Sequence, residues 1–422
     1  MDGHPLNTWN DQLDSGTVSR VRQWGRYLLW VGAATLLAGM FLTPPWMNGG
    51  LIAALLGALL ARPPLHRLAA SWFGVAFAGW VLLTVALAVL RGQPQARVAG
   101  IAHGWLALPL VAAAAQDPRW RRQAFKLMVA IGTLSMTIAL LQFTIGLGSG
   151  IPGISANGER LVQSRGLNTL HLTLGFTAAL FAVLAPQPAS LWGVATRSTW
   201  VGRIAALTGL GICGSRAGSF AGIAGLGATL AARGRRWCVV GLVIGIGLAS
   251  LLIARMAFTE SHRLWLMLHG QDGRWPIWTA SLAIAEEHPW FGVGGRRAYR
   301  VVYNDTYARV LPGVANEFGP TGGAPHAHNW LLAEAAEHGF PAPILHLALV
   351  IAVLVASWRR RLTHPAGWRV SVGVATVALV GAQFEPYPTQ SVAGLAFHAC
   401  LGLGLGLALA RNGATADSAP CP

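Results

Sequence analysis

The stretch WVGRIAALTGLGICGSRAGSFAGIAGLGATLAA, residues 200–232, decides how the chain is threaded. Arg203 and Arg216 are its only charged residues. A single long helix would hold Arg216 at mid-membrane and invert every later segment, exporting Arg233, Arg235, Arg236 and the arginines at 359–361. Two helices, 200–215 and 217–232, joined by a turn across 214–218, keep those cations on the side where Lys and Arg accumulate. The two-helix reading is preferred. Each half then has about 16 residues and reaches ~24 Å at 1.5 Å per residue, short of a ~30 Å hydrocarbon core. The turn is expected to sit recessed below the outer surface, with Arg216 facing a cavity.

Outward from this stretch the whole chain reads the same way. Of its 422 residues 54% are hydrophobic and only 11% charged, with mean hydropathy +0.49. A soluble domain of this size carries far more charge. Apolar blocks of bilayer-crossing length fall at 27–43, 46–61, 71–90, 99–115, 125–146, 168–185, 200–215, 217–232, 237–254, 340–357, 370–383 and 391–410. The expected fold is all-α and polytopic, with about 12 transmembrane helices. It divides into nine helices in 1–254, one large loop in 255–339 containing short helices, and three helices plus a tail in 340–422.

Most of the 31 basic residues fall in one phase of the alternating loops, among them Arg20, Arg62, Arg121, Arg203, Arg233, Arg360 and Arg411. The short loops of the other phase hold only Arg91, Arg97, Arg160, Arg165 and Arg216. Both termini are therefore expected in the cytoplasm and the long loop on the opposite face. The net charge of +16 is accounted for mainly by these loops, so no nucleic-acid partner is expected. The first apolar block follows a polar stretch and precedes eleven more, which reads as a start-anchor helix and not a cleaved signal. Cys213, Cys238, Cys400 and Cys421 have no CxxC spacing and are read as packing residues.

No internal repeat of the carrier kind is evident, and the polar chemistry is concentrated on one face, which disfavours an anion transporter. The long loop holds Arg274, a Pro/Gly turn at 288–295 expected to follow a helix over 275–287, and the run Pro325-His326-Ala327-His328-Asn329-Trp330. An HxH pair can supply two zinc ligands, but a closed site needs about two more. Glu317 and Glu334 stand at no recognisable spacing from it, and no Asp-x-Asp pair occurs. Neither a metal nor a cofactor is expected. The simpler role for these histidines is proton transfer, since an imidazole accepts a hydroxyl proton near neutral pH. Arg165, Arg216 and Arg274 are all expected at the outer face, where guanidinium groups suit a phosphate carried on a lipid.

The order of these features resembles the O-antigen ligase and O-antigen polymerase superfamily of bacterial envelope glycosyltransferases. The resemblance rests on Arg165-Gly166-Leu167-Asn168 before a helix, Ser215-Arg216-Ala217-Gly218 at an outer turn, and Arg274 followed by Trp278, Pro289, Gly292 and Gly294. His328-Asn329 then stands nine residues before Gly339, as in the ligase pattern of His followed by Asn, Ser or Gln, nine residues and Gly-x-x-Gly. Ala342 replaces the second glycine.

The resemblance implies a GT-C-like, inverting, metal-independent transferase in the bacterial inner membrane. It would move a glycan from undecaprenyl diphosphate to lipid A-core at the periplasmic face. Arg216 and Arg274 would hold the donor diphosphate, with Arg165 assisting, and His328 would deprotonate the acceptor hydroxyl. Asn329 would orient His328, and His326 would line the same site. Glu334 and His338, four apart on the next helix, would pair with each other or with sugar hydroxyls. His338 is the second candidate base. An O-antigen polymerase or a protein O-oligosaccharyltransferase would use the same groups, and only the nine-residue spacing favours a ligase.

Overall fold

A computed structural model describes residues 16–42, 44–63, 65, 69–90, 104–145, 171–212, 216–234, 236–237, 239–240, 246–247, 250, 274–314, 326–383 and 391–410. All regular structure among them is helical. In an apolar medium a helix is the economical choice, because every backbone donor finds its acceptor inside the segment.

The membrane part begins with α1 (Gly16–Gly39) and α2 (Pro44–Ala61), a tight hairpin. A Cβ on Gly32 would overlap the backbone at Ala54, so the two backbones touch. Then come α3 (Ala69–Leu90), α4 (Ala107–Ala114), α5 (Pro118–Ile145), α6 (His171–Leu184) and the single turn α7 (Ala189–Trp192). Next are α8 (Thr196–Ile212) and α9 (Arg216–Ala231). After the long loop the chain returns as α13 (Pro341–Arg359), α14 (Pro365–Gly381) and α15 (Ser391–Leu409).

Among the described residues four stretches are long and apolar enough to cross a membrane: Pro44–Ala61, Trp72–Leu90, Pro118–Gln142 and Pro341–Arg359. Leu59, Leu82, Ile344 and Ile351 on them point outward, as expected of side chains bathed in lipid. The chain is thus a multi-pass membrane protein. Three expected helices start earlier than read, at Gly16 ahead of 27, at Pro118 ahead of 125 and at Pro365 ahead of 370, and the described part of the block at 99–115 holds the short α4. The block at 237–254 lies largely outside the described residues.

The stretch 200–232 does divide. The Ser219 hydroxyl donates to the Leu210 carbonyl at 3.2 Å, whereas nine residues along one helix would separate them by about 13 Å. Helices α8 and α9 therefore double back, and both lie against α6. Their basic ends converge: Arg203 and Arg233 donate to the Pro186 carbonyl at 3.3 and 3.0 Å, and Arg369 is close enough to Arg233 for its charge to act there. Cations from three separate stretches of sequence thus gather at one end of the bundle.

Three helices of the 255–339 segment build a small second unit: α10 (Arg274–Glu287), α11 (Arg296–Val310) and α12 (Trp330–His338). The first matches the helix expected over 275–287. Ile277, Ala280, Ile284, Val293, Tyr299, Tyr303, Tyr307 and Ala336 form its core. Helix α12 also packs on α3 and α13, which joins the unit to the membrane helices.

Candidate active site

Helix α12 is held at three places, and the site hangs from its first residues. At its start Asn329 is the N-cap: its side-chain oxygen accepts from the Leu332 amide at 3.1 Å, and its amide nitrogen donates to Gln383 Oε1 at 3.2 Å. The Trp330 amide donates to the Ala382 carbonyl at 2.9 Å. Both bonds tie the head of α12 to the end of α14. Asn329 therefore fixes the helix start.

At the far end the 289–295 turn is stitched to α12. The Val293 amide donates to the Ala336 carbonyl, those of Gly294 and Gly295 to the Glu337 carbonyl, and that of Phe340 to the Pro289 carbonyl, all within 2.8 to 3.0 Å. Gly292 and Gly339 adopt φ of +57° and +79°, and a Cβ on either would collide with the other strand of this crossing. Ala342, where the family pattern has its second glycine, is buried against Phe77 and Val81 of α3.

The third attachment is polar and wholly buried. Glu334 Oε1 meets His346 Nδ1 at 2.6 Å, and His346 Nε2 meets His398 Nε2 at 3.1 Å. His398 Nδ1 lies 2.7 Å from the Gly394 carbonyl. That carbonyl only accepts, so His398 carries its proton on Nδ1 and its Nε2 accepts from His346. One proton is then shared between Glu334 Oε1 and His346 Nδ1.

His338 is bound separately. The Thr84 hydroxyl donates to the Val81 carbonyl at 2.8 Å, so His338 Nδ1 donates to Thr84 Oγ1, also at 2.8 Å. Trp80 Nε1 donates to the His338 carbonyl at 3.0 Å. Burial pushes the His338 imidazole down to about 4. Glu334 and His338 thus bond to the membrane helices and not to each other, and neither exposes surface to a solute at the loop.

The histidine pair stands ahead of the N-cap. His326 is buried, and its Nδ1 accepts the His328 backbone amide at 3.2 Å. Burial first, then the neighbouring His328, Arg296 and Arg300, push His326 down to about 2. It is a neutral imidazole with its proton on Nε2, and a poor base. His328 lies against it with ring centroids 4.1 Å apart, half-buried, on a backbone with φ +49°. Of the three candidate histidines it is the most exposed.

Arg274 is the first residue of α10, half-buried, on the helix that packs on α12 and ends at the same turn. Arg216 opens α9. Arg165 lies outside the described residues. Among the described residues no group of three His, Cys, Asp or Glu is placed to hold a metal ion.

Sequence reading overlooked two sets of residues. Arg296 and Arg300 border the buried face of α11, whose tyrosines at 299, 303 and 307 announce a helix by their spacing. His346 and His398 interrupt otherwise apolar helices. An ionisable residue inside such a segment is a functional signal in its own right.

Comparison with known proteins gives one family. Residues 201–347, which include most of α8, all of α9, the three-helix unit and the start of α13, match the model described as O-antigen ligase. No curated protein matches the chain.

Proposed function

We propose, from the match of residues 201–347 to the O-antigen ligase family model, that this chain transfers O-antigen polysaccharide from undecaprenyl diphosphate to lipid A-core, with inversion and without a metal. The chain lies in the bacterial inner membrane with about twelve crossings, both termini in the cytoplasm and the 255–339 segment in the periplasm. The nine helices of 1–254 and the three of 340–422 form the membrane frame.

In this reading the acceptor hydroxyl gives its proton to His328 as its oxygen bonds to the anomeric carbon. The bond from that carbon to the diphosphate breaks on the opposite face, and undecaprenyl diphosphate departs with the electron pair. Arg216 and Arg274 hold the diphosphate and stabilise the charge that grows on it, with Arg165 beside them. His326 lines the site as a neutral neighbour, and Asn329, Glu334 and His338 keep α12 in place.

The observation that carries the reading is the contrast among the histidines. His326 and His338 are buried and weakened as bases, whereas His328 is the most exposed of the three and sits at the start of a helix fixed at three places. The test is lipopolysaccharide ladder formation in a ligase-null Gram-negative host with a matching core. Wild type should restore the ladder, and His328→Ala, Arg216→Ala and Arg274→Ala at equal expression should each abolish it. A ladder that survives His328→Ala would remove the proposed base. No ladder with wild type would turn the assignment to a polymerase or a protein O-oligosaccharyltransferase.

A further inference from the structure

Three arginines from separate stretches of the chain meet where α6 ends. Arg203 and Arg233 both donate to the Pro186 carbonyl, at 3.3 and 3.0 Å, so at most about 6 Å separates the two donor nitrogens. The third is brought there by the crossing of α9 and α14. The Thr229 hydroxyl, one turn ahead of Arg233, lies 3.4 Å from the Arg369 carbonyl, and a Cβ on Gly373 would overlap Thr229 Oγ1. The start of α14 is thus pressed against the end of α9.

Little at this end offsets three positive charges. The Pro186 carbonyl follows α6, where the helix dipole is negative, but a partial charge does not neutralise guanidinium groups. Among the described residues the only carboxylate at this end is Asp117, and it caps α5, accepting from the Arg119 and Trp120 amides at 2.7 and 3.3 Å. Nε of Arg203, of Arg233 and of Arg369 is buried without a partner among the described residues. What acts on Arg233 is burial first, then the charges of Arg369 and Arg203, all of which push its guanidinium down. The inside-positive bias accounts for cations held in water, as the exposed Arg197, Arg236 and Arg359 are. Arg203, Arg233 and Arg369 are half-buried instead.

Their neighbours set the depth. Arg203 lies over the Trp200 ring at 4.7 Å and Arg233 over that of Trp237 at 5.4 Å, and both rings are exposed. Trp collects where hydrocarbon meets headgroup. Val201, Ile204 and Leu207 continue α8 as an apolar outer face. The far end of α14, where the Ala382 carbonyl holds the head of α12, is about 20 Å along that helix from Arg369. The cluster therefore stands apart from the proposed base.

We propose that Arg203, Arg233 and Arg369 form a site for the phosphate of an anionic phospholipid, whose acyl chains lie along the outer face of α8. A guanidinium donates two parallel bonds to a pair of phosphate oxygens, and basic pockets between membrane helices suit such headgroups. The phosphate supplies the negative charge the cluster lacks and clamps α6, α8, α9 and α14 together. With both termini in the cytoplasm, this is the cytoplasmic leaflet.

The experiment follows thermal unfolding of the delipidated full chain in detergent with added phosphatidylglycerol, phosphatidylcholine or inorganic phosphate. Each variant is scored by the rise above its own lipid-free Tm, so one that is merely less stable still reports binding. Phosphatidylglycerol should raise the Tm of wild type, and the other two far less. Loss of one charge-assisted contact should weaken phosphatidylglycerol binding roughly tenfold in Arg233→Gln and in Arg369→Gln. Arg203→Gln/Arg233→Gln should lose more, Arg233→Lys less and Arg359→Gln nothing. Arg369→Gln leaves both bonds to Pro186 in place, so its loss does not come from a damaged end of α6.

An equal rise with phosphatidylcholine would assign the effect to acyl chains, and an equal rise with inorganic phosphate to a free anion. Either result would overturn the site, as would an equal loss in Arg359→Gln, no rise in wild type or no loss in the cluster variants. Glycan transfer is not read, so the outcome stands whether or not wild type builds a ladder.

Discussion

Replacing His346 by Leu removes the only proton donor to Glu334 Oε1 among the described residues, from a place where both side chains are 0% exposed. The pair is 2.6 Å long, and Glu334 Oε2 is buried without a partner among the described residues. Glu334 is fully buried, so its carboxylate is left next to the apolar space where His346 had packed on Trp330 and Phe77. Breaking one half of such a pair costs about 3–5 kcal/mol. With an unfolding entropy of ~2.1 cal/mol/K per residue over 422 residues, that is a fall in Tm of roughly 3–6 °C.

Removing both partners in Glu334→Leu/His346→Leu relieves the stranded carboxylate. What remains is the lost bond at His398 Nε2, worth about 1–3 kcal/mol, so the double variant should be more stable than His346→Leu alone. The assay is thermal unfolding of the detergent-solubilised chain, run as a double-mutant cycle. A double variant as unstable as His346→Leu, or less stable, would refute the proton assignment and the claim that this pair fastens α12.

Two further outcomes follow from the same unit. Glu337 is raised from 4.5 to about 8 by burial, so the unfolded chain ionises first; the stability is fully present below about pH 4.5 and is lost as pH rises to about 8. At 1.36 kcal/mol per unit the loss approaches 5 kcal/mol, and Glu337→Gln should flatten Tm against pH over that window; an unchanged slope would contradict it. Gly339→Ala places a Cβ into the Trp290 carbonyl at φ +79°, and by strain and collision together it should lower Tm and abolish the ladder even though His328 is intact. A normal ladder would show that the crossing can yield.

Much of the membrane frame was legible because lipid imposes one rule on every segment: long, apolar and uncharged. The blocks 71–90, 217–232 and 391–410 correspond to α3, α9 and α15 within two residues at each end. The doubling back at 200–232 was legible too, because a misplaced Arg216 would have reversed the charge pattern downstream. The start at Gly16 was not, since α1 begins with a polar turn that hydropathy cannot distinguish from a tail. Within the long loop, Pro and Gly marked the 289–295 turn, and the histidines marked the segment ahead of α12.

What sequence spacing could not give was partnership. Glu334 and His338 stand four apart on one helix, the spacing of a surface pair, yet each bonds to a different membrane helix. Asn329 follows the proposed base directly, yet its side chain belongs to the helix cap. Such outcomes depend on contacts across 12 to 254 residues of chain, which local periodicity does not carry.

His328 is one of two described non-glycine residues with positive φ, and that separates what its backbone does from what its ring does. A left-handed backbone favours glycine, so His328→Gly would relieve conformational cost while removing the imidazole. The loop keeps its course and a ring-sized gap opens beside His326. Free imidazole added to that variant could enter the gap and take the proton in the missing side chain's stead. On the proposed role of His328, the same substitution that silences the chain would thus make its transfer switchable by a small molecule in the medium.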